Sequence, residues 1–239
     1  MYSAENEPGK RLHFGSSGLL YRSNKLMFDR ETFTLWHNLT GEAVVGIGAG
    51  SRSALRRIPS TVTTWGAWKR AHPDTTVVTL APAFGARWGF DYRPGVADRS
   101  RAGVRFPVWQ KSARLAPETE ILGVRIGRAA KAYPVETVVE LGVANDVVGE
   151  VPVAIVAEPS SGALRVFRRR EHRFRQRDSG ALVDEHGETW TLTEEALHPP
   201  TGSSEEPLER LPSEHSFWFG WFGFFPETEL FERPPVPPS

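Results

Sequence analysis

The sequence predicts an α+β, β-rich fold made of two tandem related units, each a small sheet with short helices. Three observations support this prediction. The 239 residues include 22 Gly and 19 Pro, and 39% are hydrophobic, which is typical of a loop-rich strand protein rather than a helical bundle. Short apolar runs alternate with turn residues. The chain also resembles itself when it is shifted by 153 residues.

The self-similarity covers several groups of residues. An L-x-R-x-P-S pattern at 55–60 recurs at 208–213, and a W-x-x-W-x4-P pattern at 65–73 recurs at 218–226. Further matches join Leu39, Thr40, Glu42 and Ala43 to Leu192, Thr193, Glu195 and Ala196, and Asp29 and Trp36 to Asp184 and Trp190 with slight slippage. We therefore expect a first unit at 9–85, a connector at 86–117, a second unit at 118–232 and a disordered Pro-rich tail at 233–239. The first unit lacks a counterpart of residues 119–165, so we expect it to be N-terminally incomplete.

Local signals place the elements of the second unit. Residues 121–133 form an apolar run with Gly127-Arg128 at its centre, which predicts a hairpin closed by Pro134. A short helix is expected over 135–143, ended by Asn145-Asp146. Apolar strands at 151–156 and 164–169 flank a Pro-Ser-Ser-Gly turn, and residues 173–177 are expected to extend the same sheet.

Each repeat ends in a predicted short helix, at 64–71 and 217–224, that stops before a proline. Two Trp lie at i and i+3 in each helix and therefore share a face, which favours burial as core anchors. The expected structural anchors are Trp36, Trp65, Trp68, Trp190, Trp218 and Trp221. The second helix carries seven aromatic residues in nine positions, so we expect the first unit to cover part of it.

Composition excludes several classes of function. The 29 basic and 29 acidic residues balance, which argues against an electrostatically driven nucleic-acid binder. The chain has no Cys, so thiolate metal ligands, disulfides and a Cys nucleophile are excluded. No apolar run is long enough to span a membrane as a helix, and the N-terminal residues lack a signal-peptide pattern. A cytoplasmic location is the default expectation.

Residues found in one repeat but not the other are the weak candidates for ligand binding: His37, Glu42, Arg52 and His72. His37 and His72, with His13 nearby in sequence, offer metal ligands, but no HxH, HxxxH or HExxH spacing joins them, so ordinary hydrogen-bonded His side chains are favoured. The glycine-rich segment before Arg52 could bind an anion through backbone N–H groups, although a flexible loop is the simpler interpretation. No cofactor is indicated, and no metal site is predicted.

Two charged segments have a structural and a functional interpretation. Asp29-Arg30-Glu31 and Asp184-Glu185 with Glu188 offer paired carboxylates for acid–base chemistry, but structural turns are favoured. Seven Arg within residues 165–177 could hold a polyanion, but a solvated face paired with the acidic segments 184–188 and 205–209 is favoured.

Several short segments together resemble a known family. They are Phe14-Gly-Ser-Ser-Gly-Leu-Leu20, Met27-Phe-Asp-Arg30, Thr40-Gly-Glu-Ala-Val44, His72-Pro73, Phe106-Pro107-Val108 and Lys131-Ala-Tyr-Pro134. The chain from residue 10 to 231 is similar to domain of unknown function 3179, found in bacteria and archaea, for which the resemblance implies no established activity.

The resemblance also implies a site that this chain lacks. Units of the family commonly carry a Cys-Pro-Leu-Cys segment with a His about seventeen residues earlier. Aligned here, the Cys pair falls on Glu158 and Ser161, Pro159 is retained, and the His falls on Leu141. In the other repeat, the corresponding segment would lie upstream of Met1. We therefore expect the turn at 158–162 to persist without thiol or soft-metal chemistry.

Two functions remain open from the sequence. The first is a non-catalytic scaffold that binds a small ligand or a protein partner, through the cleft between the units and residues present in one repeat. The second is a fragment or degenerate member of a metal- or thiol-dependent enzyme, whose Cys/His site is encoded upstream or has been lost. Neither function requires nucleic acid or a membrane span.

Overall fold

A computed structural model describes residues 1–7, 9–50, 53–77 and 107–233. We call residues 1–77 the first half and residues 107–233 the second half. Strands dominate both halves, and the helices are short, as the composition predicts. Most of the expected connector and nearly all of the Pro-rich tail lie outside the described residues. Within the described part of the chain, no helix is long and apolar enough to cross a membrane.

The first half contains a two-stranded sheet and a four-stranded antiparallel meander. A short 3₁₀ helix, Ile47–Ala49, follows the meander. The remaining elements are strands β1 (Glu5–Glu7), β2 (Lys10–Arg11), β3 (Phe14–Tyr21), β4 (Asn24–Asp29), β5 (Leu35–His37) and β6 (Ala43–Val45), and helix α1 (Trp65–Ala71). Helix α1 begins where the Thr64 hydroxyl caps the backbone N–H of Ala67.

The second half opens with the expected hairpin. Strands β7 (Glu120–Ile126) and β8 (Ala129–Pro134) pair antiparallel around Gly127, which has a φ of +58°. They form a four-stranded sheet in the order β17-β7-β8-β18, with β17 (Ser213–Phe217) and β18 (Glu229–Leu230) at the edges. The hairpin predicted from the apolar run is therefore confirmed.

Helix α2 (Val135–Leu141) follows the hairpin, but its predicted end is wrong. The helix stops at Gly142, whose φ of +72° favours glycine, and not at Asn145-Asp146. Asn145 and Asp146 lie inside strand β9 (Val143–Val148), because their backbone groups pair with strand β10 (Val151–Ala157) and their side chains find specific partners.

Eight antiparallel strands form the largest sheet, in the order β12-β13-β14-β15-β16-β11-β10-β9. The sheet curls until its edges nearly meet. Its strands are β9 (Val143–Val148), β10 (Val151–Ala157), β11 (Leu164–Arg168), β12 (Arg175–Gln176), β13 (Leu182–Val183), β14 (Thr189–Leu192), β15 (Ala196–His198) and β16 (Leu208–Leu211). The amide of Asn145 in β9 closes the gap: it donates to the Phe174 carbonyl (2.7 Å) and accepts from the Phe174 N–H (2.8 Å). This near-closed barrel encloses Phe167, Trp190 and Leu208.

The Trp side chains divide into anchors and exposed residues. Trp36 and Trp190 are 3% exposed, as expected, and Trp218 and Trp221 are at most 1% exposed. Trp221 packs so closely on Gly123 of β7 that a Cβ there would lie 2.1 Å from its ring. The expectation that Trp65 and Trp68 anchor a core is wrong: they are 55% and 37% exposed. Trp218 and Trp221 pack on strands β7 and β8, whereas Trp68 contacts His72 and Thr75 beside its own helix.

The first half covers the second Trp helix, α3 (Trp218–Phe222), as its aromatic composition predicts. Phe224 lies 4.0 Å from the His37 ring centroid and 5.9 Å from that of Tyr21. The Arg22 guanidinium lies over the Phe224 ring and donates to the Gly223 carbonyl (3.4 Å). Phe224, which follows α3, is thus partly covered by the first half.

Candidate functional site

Two of the predicted carboxylates are structural turn residues. Asp29 accepts hydrogen bonds from the Trp36 indole Nε1 (2.7 Å) and from Thr32. Asp184 accepts from the Trp190 indole Nε1 (3.0 Å) and from the backbone N–H of His186 and Glu188. Burial opposes the charged form of each carboxyl, but the hydrogen bonds, led by that from the indole, lower both pKa values. The interpretation of these segments as charged turns is confirmed.

His37 is fully buried at the junction of the two halves. Its Nδ1 accepts from the backbone N–H of Leu39 (3.3 Å) and Thr40 (3.0 Å), which fixes the ring inside the turn after β5. Burial, helped by the nearby cations Arg22 and Arg125, lowers its pKa to about 4, so the imidazole is neutral at pH 7. These contacts make His37 a structural residue of the junction.

Of the candidate ligand-binding residues that the structure describes, His37 and Glu42 are joined, because the His37 N–H donates to the Glu42 carbonyl (2.8 Å), whereas His72 lies elsewhere. Glu42 is exposed and forms an isolated bridge with Ala54. The His72 ring packs on Trp68 at 4.1 Å, away from the surroundings of His37, and Arg52 lies outside the described residues. Among the residues the structure describes, no group of three or more His, Asp or Glu side chains has the arrangement to hold a metal ion.

The turn at the position of the family's Cys pair persists. Gly162 takes a φ of +68° and donates its N–H to the Glu158 carbonyl (2.8 Å). The Glu158 carboxylate accepts locally from the Ser161 hydroxyl (2.7 Å) and lies 3.6 Å from Nη1 of Arg165. Leu141 packs partly buried against the core of the second half. A local polar cluster thus occupies the position where the family carries thiols.

Arg165 also belongs to a buried ion network. Glu194 accepts hydrogen bonds from Arg165 Nε (3.1 Å) and Arg210 Nη1 (2.8 Å), and these guanidinium side chains are 8% and 6% exposed. Thr61 of the first half donates to Glu194 at 2.9 Å. Burial raises the pKa of Glu194, but Arg165 and the other donors lower it more, to about 2. Other cations of 165–177 form the expected surface pairs, such as Arg168 with Glu209 and Arg170 with Glu206.

A cleft separates the first half from strand β17 of the second half. It consists of two adjoining cavities of about 350 and 280 Å³ that share Asn24, Val62, His215 and Ser216, and we call it the inter-half cleft. Its lining includes amides, hydroxyls, one imidazole, three aromatic rings and two carboxylates. The further lining residues are Met1, Tyr2, Ser23, Asn38, Leu39, Ser60, Glu120, Ser213, Glu214, Phe217, Phe219 and Gly220.

Two adjacent residues of β17 line this cleft, and each has a buried polar atom that finds no hydrogen-bond partner among the described residues. Glu214 is 8% exposed; its Oε1 lies 3.4 Å from both Arg57 Nη1 and Arg125 Nη2, whereas its Oε2 is one of these two atoms. His215 Nε2 is likewise buried without a partner. Burial lowers the pKa of His215, against a smaller opposing effect of Glu120. The cleft therefore contains a neutral imidazole beside an acceptor with no donor.

The Arg22-Ser23 turn positions the other wall of the cleft. Both residues have positive φ values, +47° and +65°, which are uncommon for non-glycine residues and cost about 1 kcal/mol each. The Ser23 hydroxyl donates to the Pro107 carbonyl (3.2 Å), and Asn24 Oδ1 accepts from the Lys25 N–H (2.7 Å). The strained turn thus fixes Asn24 with its amide nitrogen available to the cleft.

A third cavity, of about 450 Å³, lies beside α3 and is more aromatic. Trp218, Phe219 and Phe222 line it together with Gln110 and Lys111. Its other wall comes from residues 107–117, next to the segment outside the described residues. We therefore place the candidate site in the inter-half cleft, which the described residues enclose from both halves.

Sequence reasoning anticipated a cleft between the units but missed Glu214, His215 and Asn24. Glu214 and His215 follow directly after the repeated L-x-R-x-P-S pattern, where the first half has Thr61 and Val62. A polar pair in the second half, in place of a less polar pair at the matched positions of the first half, was the available signal. Asn24 had no such signal, because the turn that exposes it is set by backbone conformation.

Comparison with known proteins gives one match that covers nearly the whole chain. No curated protein and no solved structure matches it. A family model described as a protein of unknown function, DUF3179, matches residues 2–228. The match extends across both walls of the inter-half cleft and confirms the resemblance seen in the sequence. The chain belongs to the DUF3179 family.

Proposed function

We propose that this protein is a non-catalytic scaffold, assembled from two related units, that binds a small polar ligand in the inter-half cleft. The observation that carries the proposal is the pair of buried, unpartnered polar atoms at the cleft, Glu214 Oε2 and His215 Nε2. An unsatisfied buried polar group costs about 1–3 kcal/mol, and a bound ligand that pairs with it recovers that cost.

The relationship between the halves rests on matched hydrogen bonds. The Trp68 indole donates to Thr75 (3.0 Å) and the Trp221 indole donates to Thr228 (2.9 Å), a pair displaced by 153 residues. The Asp29–Trp36 and Asp184–Trp190 bonds form a second matched pair. These correspondences support a duplicated unit beyond the sequence pattern, although Trp65 and Trp218, which match in that pattern, lie in different surroundings.

Two of the four serine hydroxyls that line the cleft favour binding over covalent catalysis. Ser23 donates to the Pro107 carbonyl (3.2 Å) and Ser216 donates to the Phe217 carbonyl (3.1 Å). A serine nucleophile instead needs its hydroxyl directed at a general base. Since these two protons go to backbone carbonyls, neither serine is activated.

Blocking the cleft tests the proposal. Val62 lines both cavities and is 58% exposed, so Val62→Trp fills the cleft without disturbing a core. Val77→Trp, at a 65% exposed valine outside the cleft, is the matched control. The wild type and both variants are titrated with neutral sugars, amino acids, diamines and dicarboxylates while amide NMR shifts are followed.

We expect at least one compound to shift resonances of both walls, such as Asn24 and His215, in the wild type and in Val77→Trp. The shifts should be lost in Val62→Trp. If no compound shifts cleft resonances, or if Val62→Trp binds as well as the control, the proposed site is wrong.

A further inference from the structure

We infer that the ligand of the inter-half cleft is a neutral, hydroxyl-rich molecule of the carbohydrate or polyol class. This inference rests on the proposed function and adds the chemistry of the ligand. It follows from the balance of charge, the arrangement of donors and acceptors, and the aromatic surface at one end of the cleft.

The buried charge of Glu214 does not select an ion, and the other carboxylate of the lining, Glu120, is exposed to solvent. The Glu214 carboxylate lies between Arg57 and Arg125, each 3.4 Å from its Oε1, so its negative charge is already matched by cations. Burial keeps the His215 imidazole neutral by lowering its pKa. A cationic ligand would meet the two guanidinium groups behind Glu214, and an anionic ligand would meet Glu214 itself. A neutral ligand avoids both penalties.

The polar groups of the cleft require a ligand that donates and accepts at neighbouring positions. Glu214 Oε2 is an acceptor without a donor. Asn24 has its Oδ1 engaged by the Lys25 N–H, so its amide Nδ2 remains as a donor. A hydroxyl group donates one hydrogen bond and accepts others, and adjacent hydroxyls on a ring can meet both requirements.

Aromatic rings supply an apolar surface at the same end. The rings of Phe217 and Phe219 are nearly parallel, with 14° between their planes and 6.1 Å between centroids. Phe217 is 42% exposed and lines the larger cavity together with His215. A sugar ring has an apolar C–H face beside its hydroxyl edge, which matches an aromatic platform next to polar groups.

The test uses glucose, galactose, mannose and myo-inositol as neutral probes, with putrescine and succinate as charged probes. Affinities are measured by calorimetry and NMR titration for the wild type and three variants. Asn24→Asp keeps the acceptor for Lys25 and removes the amide donor, and Phe217→Ala removes the exposed ring. Phe33→Ala removes a 72% exposed ring that does not line the cleft, and serves as the control.

We expect at least one neutral probe to bind the wild type and Phe33→Ala equally. Asn24→Asp and Phe217→Ala should each weaken its binding about tenfold or more, with unchanged melting temperatures as the check on folding. If putrescine or succinate binds in the cleft and the neutral probes do not, the ligand class is wrong and the proposed function stands. If neutral probes bind equally to all variants, their site is elsewhere and this inference is wrong.

Discussion

Arg57 of the first half lies 3.4 Å from Glu214 of the second half, measured from Nη1 to Oε1. Arg210, 153 residues after Arg57, donates at 2.5 Å to Thr61, which lies 153 residues before Glu214. The two contacts are therefore reciprocal: in each half, the Arg of the matched L-x-R-x-P-S pattern reaches the residue that follows the same pattern in the other half. The two sides differ in charge, because Glu214 stands where the first half has Thr61.

Thr61 carries no charge, and Glu194 supplies the carboxylate that pairs with Arg210. Removing this carboxylate should lower the free energy of unfolding. Glu194→Gln leaves Arg165 and Arg210 nearly buried without their main counter-charge. We expect a loss of about 2 kcal/mol in the free energy of unfolding at pH 7, toward the low end for buried pairs because Glu194 is 30% exposed. Urea denaturation measures it, with exposed Glu195→Gln as the control at under about 0.5 kcal/mol.

Protonation of Glu194 at low pH should remove the same contribution to the free energy of unfolding. The pKa of Glu194 is depressed to about 2, so its contribution is present above the ordinary pKa of 4.5 and is lost as the pH falls toward 2. The difference in stability between the wild type and Glu194→Gln should shrink over that window. A difference that stays constant from pH 5 to pH 2 would contradict the ion network.

The two Trp–Thr hydrogen bonds predict unequal effects of one substitution. Thr228 is 3% exposed and accepts from the buried Trp221 indole, so Thr228→Val leaves a buried N–H without a partner. We expect this to cost about 1–3 kcal/mol. Thr75→Val at the exposed Trp68 should cost under about 0.5 kcal/mol, since water replaces the lost acceptor. Equal losses in thermal denaturation would mean that Trp68 is as buried as Trp221.

His37 should make the free energy of unfolding depend on pH between 6.5 and about 4. Its folded pKa is about 4, below the ordinary value of 6.5, because burial disfavours the imidazolium. Its contribution is complete above pH 6.5 and falls as the pH drops toward 4, where the unfolded chain binds a proton that the folded chain does not. The full effect is on the order of 3 kcal/mol.

A non-titrating replacement isolates this effect. His37→Asn keeps an acceptor near Leu39 and Thr40 but cannot titrate, so its unfolding free energy should fall less between pH 6.5 and 4. His186→Asn, at a side chain that is 76% exposed, should leave the slope unchanged. Parallel pH profiles for the wild type and His37→Asn would show that His37 is not buried in the folded protein.

Local chemistry made much of the second half predictable. The β7–β8 hairpin follows from Gly127 between apolar runs. The turn at Glu158 follows from Pro159 and Gly162, independently of the rest of the fold. The end of α2 was missed because Asn145 resembles a helix stop in sequence. Its amide instead closes the barrel against Phe174, twenty-nine residues away, a contact that local signals do not encode.

Two further features were harder to predict, because they also depend on contacts between distant segments. They are the burial of the Trp pairs and the set of residues that line the cleft. Trp65 and Trp218 occupy equivalent places in the pattern, yet Trp218 packs beside strands β7 and β8 and Trp65 is mostly exposed. Burial depends on which strands lie over a helix and not on the helix itself. The cleft is formed by two segments nearly 200 residues apart, so Asn24 and His215 line the same cavity through tertiary structure alone.

Phe33 provides a test of backbone conformation in the first half. It has a φ of +56° in the turn between Asp29 and Trp36, whereas Gly187, at +86°, occupies the corresponding turn between Asp184 and Trp190. A non-glycine residue pays a steric penalty of about 1–2 kcal/mol in this region. We therefore expect Phe33→Gly to be more stable than Phe33→Ala by about 0.5–1 kcal/mol, because both variants lose the stacking of Phe33 on Phe28 and the steric penalty that Gly avoids exceeds its extra loss of backbone entropy on folding. Gly187→Ala should lower the free energy of unfolding by a similar amount. Denaturation curves measure all three, and a Phe33→Ala protein as stable as Phe33→Gly would mean that residue 33 does not adopt the left-handed conformation.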